Sequence, residues 1–258
     1  MSDLSAAQGV IMMNLGHKLG LFKAMAGRGP LSSVEVARRS GCAERYVSEW
    51  LRSQVTGGYV TYHPMSDTFE LSAEQALILA DDTSPYFLPH ALEITAELWR
   101  REQRSLDAFK HGHGVGWSEH SEGLHCGVAA FYRNAYAAQL VPLWLPALDG
   151  VVDKLNHGAV VADVGCGHGH STRLMAEAFP RSTFYGFDVH EGSILEAREQ
   201  TRAAGLAERV HFEVARADEF QGGPFDLVCF FDAIHDMGHP DRALRHTASQ
   251  LAKDGTVM

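Results

Sequence analysis

Short apolar runs alternate with amphipathic stretches through the second half of the chain. Four of these runs are typical of buried strands: residues 160–164, 183–187, 210–214 and 226–232. Between the first two runs, Leu174, Met175 and Ala178 lie at helical spacing. Strands separated by helices form right-handed βαβ units, which build a parallel sheet. The pattern therefore predicts an α/β fold with a doubly wound parallel sheet over residues 156–258.

The first 80 residues follow a different pattern, in which helices precede a hairpin. Apolar residues recur at near-helical spacing over 8–26, and Ser32 with Glu35 offers a capping box for a second helix. A third helix is predicted over 43–56, and alternating segments around a polar turn predict a hairpin over 59–71. The third helix has five bulky residues on one side: Tyr46, Val47, Trp50, Leu51 and Val55. Three helices and a hairpin predict a winged-helix domain, residues 1–80.

A helical connector and substrate lid are predicted over residues 81–155, with one helix around Trp99 and a longer one over 128–148. Between these helices, residues 111–126 are rich in histidine and glycine and include Cys126. Imidazoles and a thiol so close together are potential metal ligands. The glycines and the absence of helical i, i+4 spacing favour a mobile substrate loop instead, so the sequence assigns no metal ligand.

Composition and charge narrow the classes of function. The chain has 258 residues, 45% of them hydrophobic, and a formal net charge of −10. This acidic balance opposes generic binding to nucleic acid or to an anionic membrane, because both reward basic surfaces. The sequence has no apolar run of membrane-spanning length, no pattern of a secretory leader and no C-x-x-C pair. We therefore expect a cytoplasmic chain with reduced thiols.

The charges of the winged-helix region bear on whether it binds DNA. Residues 1–80 carry seven basic and seven acidic side chains, and in the third helix two glutamates offset two arginines. A DNA-binding domain needs a basic surplus to neutralise phosphates. The sequence therefore favours a structural role for this domain over DNA recognition.

A glycine-rich segment follows the first apolar run, with the spacing D-x-G-x-G-x-G. It consists of Asp163, Gly165, Gly167 and Gly169, whereas a dinucleotide fingerprint would place its third glycine at His170. A dinucleotide brings a pyrophosphate to such a loop. S-adenosylmethionine brings an ammonium and a sulfonium instead, and the carboxylate of Asp163 suits a cationic ligand. The segment therefore predicts a methyl-donor loop.

Further acids stand where the next predicted strands end. Asp188 follows the second strand and can accept hydrogen bonds from ribose hydroxyls. Asp218 follows the third and is a candidate acceptor for an adenine amino group, and Asp232 ends the fourth. Ligands of open parallel sheets bind beyond the carboxyl ends of the strands. We therefore expect these acids and the glycine loop to surround one ligand.

This ordered series resembles class I S-adenosylmethionine-dependent methyltransferases, which have a Rossmann-like sheet. The resemblance runs from about residue 159 to 258. The segments 225–228 and 232–237 make the chain similar to bacterial methyltransferases that carry an N-terminal winged helix and are related to small-molecule O-methyltransferases. The resemblance implies S-adenosylmethionine as methyl donor, a small-molecule acceptor and a homodimer formed through the winged-helix domain.

The resemblance also assigns roles to residues. His235 maps onto the general base of the larger family, and a histidine of ordinary pKa suits removal of a hydroxyl proton. Because neighbouring helical residues point to different faces, Asp236 is not expected to orient His235. Ten residues are expected to bind the cofactor: Asp163, Gly165, Cys166, Gly167, Asp188, Val189, Ala217, Asp218, Phe231 and Asp232.

Three interpretations remain open from the sequence. The first is an O-methyltransferase. The second is a winged-helix regulator that senses S-adenosylmethionine, and the third is a catalytically inactive homologue or dimer partner. Residues 251–258 match the approach to a fifth strand, after which the family has two more strands and the acidic partners of the catalytic histidine. The resemblance therefore implies a fragment of a longer protein.

Overall fold

The chain folds as two compact units, divided between Glu102 and Gln103. A computed structural model describes residues 2–258. The division falls inside the predicted connector, so part of that segment packs with each unit. Among residues 2–258, no single helix is long and apolar enough to cross a membrane, although one bent helix pair passes by length and composition.

The first unit is a winged helix followed by additional helices. Its elements are α1 Ser2–Lys18, α2 Leu21–Met25, α3 Ser33–Ser40, α4 Glu44–Thr56, β1 Thr61–His63, β2 Thr68–Glu70, α5 Ala73–Leu79 and α6 Pro89–Arg100. The hairpin is antiparallel, and Leu31 adds an isolated bridge to Phe69. The predicted helices and hairpin are therefore present and confirm the winged-helix fold.

Tight packing between α1 and α4 holds this unit together. The Trp50 indole nitrogen donates to the Met12 carbonyl at 2.8 Å, and the ring lies against Gly16, where a Cβ would meet it at 2.4 Å. Phe22 of α2 contacts the same ring edge-on, with centroids 4.9 Å apart. The predicted capping box of α3 is also present, because Ser32 and Glu35 each accept the other's backbone N–H. These contacts fix α1, α2 and α4 around one core.

Some local predictions for this unit are wrong. The single helix predicted over 8–26 is two helices, because Gly20 adopts a left-handed conformation with φ of 68° and separates α1 from α2. The prediction that Tyr46 lies on the apolar side of α4 is wrong, because Tyr46 is 78% exposed. Helix α5 was not predicted at all. Its capping box of Ser72 and Gln75 was the available signal.

The second unit begins with the helices of the later part of the predicted connector. These are α7 Glu102–His111, the 3-10 turn Trp117–Glu119, α8 Glu122–Ala135, the π-helical segment Tyr136–Trp144, the 3-10 turn Leu145–Ala147 and α9 Val151–His157. The helix predicted over 128–148 thus starts earlier and changes character at Tyr136. Pro142 lies inside the π-helical segment, where its missing N–H disrupts regular α-helical bonding.

A five-stranded parallel sheet forms the rest of this unit. Its elements are β3 Val160–Val164, α10 His170–Ala178, β4 Thr183–Asp188, α11 Glu191–Ala203, β5 Val210–Val214, β6 Phe225–Cys229, α12 Pro240–Gln250 and β7 Leu251–Val257. The strand order is β5-β4-β3-β6-β7, with every pair parallel. This is the predicted doubly wound, Rossmann-like arrangement. The order reverses between β3 and β6, which is where such sheets bind ligands.

Apolar side chains bury both faces of the sheet. Along β3, Val161 packs into one hydrophobic cluster with Phe184 and Phe212, and its neighbour Ala162 packs into another with Phe187. Alternate residues of a strand point to opposite faces, so both faces of β3 are covered. This explains why the strands read as continuous apolar runs rather than alternating ones.

Candidate active site

The glycine loop after β3 has a left-handed conformation at each of its three glycines. The φ angles of Gly165, Gly167 and Gly169 are 79°, 51° and 68°. A Cβ at Gly165 would lie 2.4 Å from that of Ala233, and one at Gly169 would lie 2.4 Å from the Phe212 ring. No atom lies within 4 Å of a Cβ built at Gly167. Packing therefore requires the outer two glycines, whereas Gly167 leaves backbone open to an approaching ligand.

Hydrogen bonds to β4 fix the shape of this loop. The N–H groups of Gly165 and Cys166 donate to the Phe187 carbonyl at 2.7 and 3.1 Å. Asp188, which is 5% exposed, accepts the Gly167 N–H on one oxygen and the His190 N–H on the other, both at 2.9 Å. A carboxylate has about four acceptor positions. Asp188 thus shapes the loop and retains lone pairs for a ligand.

Asp163 lies fully buried at the end of β3. One carboxylate oxygen accepts the hydroxyls of Ser171 and Thr172, each at 2.6 Å, and the other has no hydrogen-bond partner among residues 2–258. Burial raises the pKa of Asp163 to about 6, although the two hydroxyls lower it. The oxygen of Asp163 that lacks a hydrogen-bond partner suits a cationic or hydrogen-bond-donating ligand at the glycine loop.

The other predicted cofactor residues lie along the same edge of the sheet. Val189 directly follows Asp188 and is exposed, and Ala217 and Asp218 form a turn after β5. Asp218 accepts from the Arg216 guanidinium at 2.9 Å, which lowers the pKa of its carboxyl. Cys166 is buried within the loop, and burial raises the pKa of its thiol. Their contact with a cofactor remains a prediction.

His235 lies on a short 3-10 turn, Ile234–Asp236, just after β6. Its side chain is 58% exposed and has a carboxylate near each ring nitrogen. Nδ1 is 3.6 Å from an oxygen of Asp232, and Nε2 is 3.5 Å from one of Asp236. The expectation that Asp236 would point away is wrong, because the segment is a 3-10 turn rather than an α-helix. Both ring nitrogens of His235 therefore lie beside a carboxylate.

Aromatic side chains stand beside this turn. The Tyr132 hydroxyl donates to Asp232, and the Tyr132 ring stacks on Tyr136 with centroids 5.7 Å apart. Tyr136 also contacts Phe231 at 5.5 Å and Trp144 at 6.0 Å. Burial raises the pKa of both tyrosines above the ordinary value. These aromatic residues come from α8, from the π-helical segment and from the residues just after β6, so no local pattern in the sequence showed that they meet.

Histidines from three separate segments meet near Asp188. His125 of α8 is 2% exposed, and its ring lies 3.7 Å, centroid to centroid, from that of His190. His168 belongs to the glycine loop. Burial lowers the pKa of His125 and of His168. Because these residues come from distant parts of the chain, no local pattern in the sequence could show that they converge.

An open parallel sheet with a glycine loop and acids at its switch point defines a Rossmann-like ligand-binding domain. Residues 7–81 match the Rv2258c-like winged HTH domain, and residues 155–258 match a methyltransferase domain. The chain therefore carries a winged helix-turn-helix domain followed by a methyltransferase domain of the class I type. This confirms the predicted class, for which S-adenosylmethionine is the methyl donor.

Individual proteins extend the comparison. The chain is 29% identical over 114 residues to trans-aconitate 2-methyltransferase of Klebsiella pneumoniae (strain 342). The aligned region covers 43% of each protein. It spans less than half the length of the curated relatives it matches.

Solved structures resemble nearly the whole chain. A putative O-methyltransferase from Nostoc punctiforme PCC 73102 is 21% identical, with a TM-score of 0.75, over 99% of this chain and 76% of that one. PigF, solved with SAH, is 16% identical, with a TM-score of 0.74, over 99% of this chain and 77% of that one. At these identities the likeness establishes the fold.

Proposed function

We propose that the chain transfers a methyl group from S-adenosylmethionine to a hydroxyl of a small molecule, with His235 as general base. The observation that carries this proposal is the contact between the donor loop and the turn that bears the base. Gly165 of the loop packs against Ala233, two residues before His235. A methyl donor on the loop and an acceptor beside His235 would then be neighbours.

The donor side of the proposal uses the carboxyl edge of the sheet. Asp188 would hold the ribose hydroxyls, Asp218 the adenine amino group, and the open backbone at Gly167 the amino-acid part of the cofactor. The rest of the cofactor pocket would be lined by Cys166, Val189, Ala217 and Phe231. The cofactor supplies an electrophilic methyl carbon when bound. The orphaned oxygen of Asp163 supports a ligand of positive charge in this place.

The acceptor side centres on His235. A hydroxyl acceptor would lose its proton to the imidazole as its oxygen bonds to the methyl carbon. Asp232 and Asp236 lie 3.5–3.6 Å from the ring nitrogens and would stabilise the imidazolium that results. Tyr136, Trp144 and Phe231 form an aromatic wall that suits a flat or apolar acceptor. In-line transfer then depends mainly on positioning.

Calorimetry with a matched pair of glycine variants tests the donor site. Gly167→Glu places a side chain in the open space over the loop, so we expect binding of S-adenosylhomocysteine to be lost. Gly205→Glu is the control, because Gly205 also has a positive φ and open surroundings but lies between α11 and β5. Equal losses in both variants, or no binding by the unmodified chain, would count against the proposal.

Methyl transfer from labelled S-adenosylmethionine to a panel of phenols and alcohols tests the base. We expect His235→Gln to lower kcat by about 10²–10⁴-fold, the usual contribution of a general base, while cofactor binding is retained. His239→Gln is the control, since His239 is exposed in the same segment. Cofactor binding without turnover on any acceptor would favour the inactive-homologue interpretation.

We further propose that the winged-helix domain serves association of two chains rather than DNA recognition. Helix α1 exposes Leu4, Ile11 and Leu15, which recur at helical spacing along one stripe. In α4, the helix that would enter a major groove, Arg45 is paired with Glu49, and the helix has two basic and two acidic side chains. An apolar stripe with little basic surface suits a second copy of the chain.

A further inference from the structure

Helix α8 presents three potential metal ligands in its first turns. Glu122, His125 and Cys126 stand at i, i+3 and i+4, so they share one face of the helix. The glycine loop contributes His168 to the same place. The ligand atoms of Glu122, Cys126 and His168 all lie within 4.8 Å of one another, and those of Glu122, His125 and His190 do so as well.

Two imidazole nitrogens in this cluster are buried without a hydrogen-bond partner among residues 2–258. They are Nδ1 of His125 and Nε2 of His168. The Nε2 of His125 lies 3.1 Å from the Trp117 carbonyl, so it carries the ring proton and leaves Nδ1 with a lone pair. Buried polar atoms normally have partners. A metal ion bound by His168 would supply the missing partner of its Nε2.

We propose that Glu122, Cys126 and His168 form a zinc site that fastens α8 to the glycine loop. Zinc accepts thiolate, imidazole and carboxylate ligands in a tetrahedral arrangement, at about 2.0–2.3 Å. Any two ligand atoms of such a site are therefore roughly 4 Å apart. The ligand atoms of Glu122, Cys126 and His168 lie within 4.8 Å of one another, so they need only small side-chain adjustments, and a water would complete the tetrahedron.

His190 is left out of the ligand set although it lies in the cluster. Its Nδ1 accepts the Ser193 N–H at 3.1 Å at the start of α11, so the ring proton resides on Nε2. A nitrogen that carries a proton cannot bind a metal. His190 is therefore bound to the start of α11 through Nδ1 and is not a ligand.

The ion would act on the loop through His168. This residue stands between Gly167 and Gly169, so a bond to its side chain restricts the backbone that surrounds the proposed donor site. We expect zinc to raise the melting temperature of the whole chain. The proposal stands apart from methyl transfer, because the metal can bind whether or not the cofactor does.

Cobalt titration of the full chain, stripped with chelator and kept reduced, tests the site. We expect saturation at one Co²⁺ per chain, with a thiolate-to-metal charge-transfer band and the visible spectrum of a tetrahedral site. Cys126→Ser should abolish the charge-transfer band and weaken binding by at least about tenfold. Cys42→Ser is the control, because Cys42 lies in the other unit.

Each other outcome overturns the proposal. It is wrong if the unmodified chain takes up no stoichiometric Co²⁺, if the band persists in Cys126→Ser, or if Cys42→Ser removes it. Glu122→Gln provides a second variant that should not disturb folding, since Glu122 is exposed. It should weaken Co²⁺ binding while the charge-transfer band remains at saturation. Zinc should no longer raise the melting temperature of Cys126→Ser.

Discussion

Asp163 shows how one residue can serve a site without reaching its surface. Its carboxylate is completely buried beneath the glycine loop, with two hydroxyls on one oxygen and no partner on the other. The motif in the sequence indicated an acid at this position, but spacing alone could not show its burial. That burial depends on Ser171 and Thr172 of the following helix. The negative charge at this place therefore costs stability.

Replacing Asp163 with asparagine should reveal this cost as a pH dependence. Burial raises the pKa of Asp163 to about 6, against roughly 3.9 in an unfolded chain. The stability from this group is therefore fully present below about pH 4 and is lost as the pH rises through 6. Relative to the unmodified chain, Asp163→Asn should gain on the order of 3 kcal/mol in unfolding free energy between pH 4 and 7. Urea denaturation at several pH values measures this.

Asp254→Asn is the matched control for that experiment. Asp254 is exposed and pairs with Lys154, which lowers the pKa of its carboxyl. Its contribution to stability is present above the unfolded pKa and is lost as the pH falls. Relative to the unmodified chain, Asp254→Asn should therefore show no gain in unfolding free energy as the pH rises. If the difference in unfolding free energy between Asp163→Asn and the unmodified chain stays constant from about pH 4 to 7, Asp163 is charged throughout that range.

At the scale of elements, patterns within a segment were predictable and contacts between segments were not. The strands could be located because a parallel sheet buries both faces and leaves uninterrupted apolar runs. The break between α1 and α2 was missed because its apolar spacing continues across Gly20. The turn around His235 was taken as helical, which led to the wrong orientation of Asp236. The cluster of His125, His168 and His190 depends on tertiary folding alone.

Two glycines in α1 provide a test of element packing. A Cβ at Gly16 would meet the buried Trp50 ring at 2.4 Å, whereas one at Gly9 meets nothing within 4 Å. Gly16→Ala should lower the unfolding free energy by about 1–3 kcal/mol through overpacking. Gly9→Ala should raise it by about 0.5–1 kcal/mol, because alanine favours the helix. Chemical denaturation checks both, and a stabilising Gly16→Ala would show that Trp50 can move aside.

At the scale of the whole molecule, a winged helix and a methyltransferase domain are joined in one acidic chain. The order of the domains followed from the change in apolar periodicity between the two halves. The proposed interface between two chains could not be located from periodicity, because an exposed stripe on a helix looks the same in a sequence as a buried one. The proposal is supported by the exposure of Leu4, Ile11 and Leu15 on α1.

A charged residue in this stripe should separate the two chains. Ile11→Glu would place a carboxylate in an apolar interface, where desolvation is costly, so we expect monomers at concentrations at which the unmodified chain dimerises. Val34→Glu is the control, since Val34 is equally exposed but lies on α3. Sedimentation equilibrium distinguishes the two. A monomeric unmodified chain, or dissociation by Val34→Glu, would contradict the proposed interface.

The contact between Gly165 and Ala233 limits how the chain can vary in sequence. The two residues meet with no room for a single additional carbon at position 165, and the methyl group of Ala233 fills the gap between the two segments. A larger side chain at 233 would have to push the His235 turn away from the glycine loop. In the proposed reaction, the size of residue 233 would therefore set the distance between donor and base. Engineering of acceptor preference should leave this position as alanine and vary the aromatic wall instead.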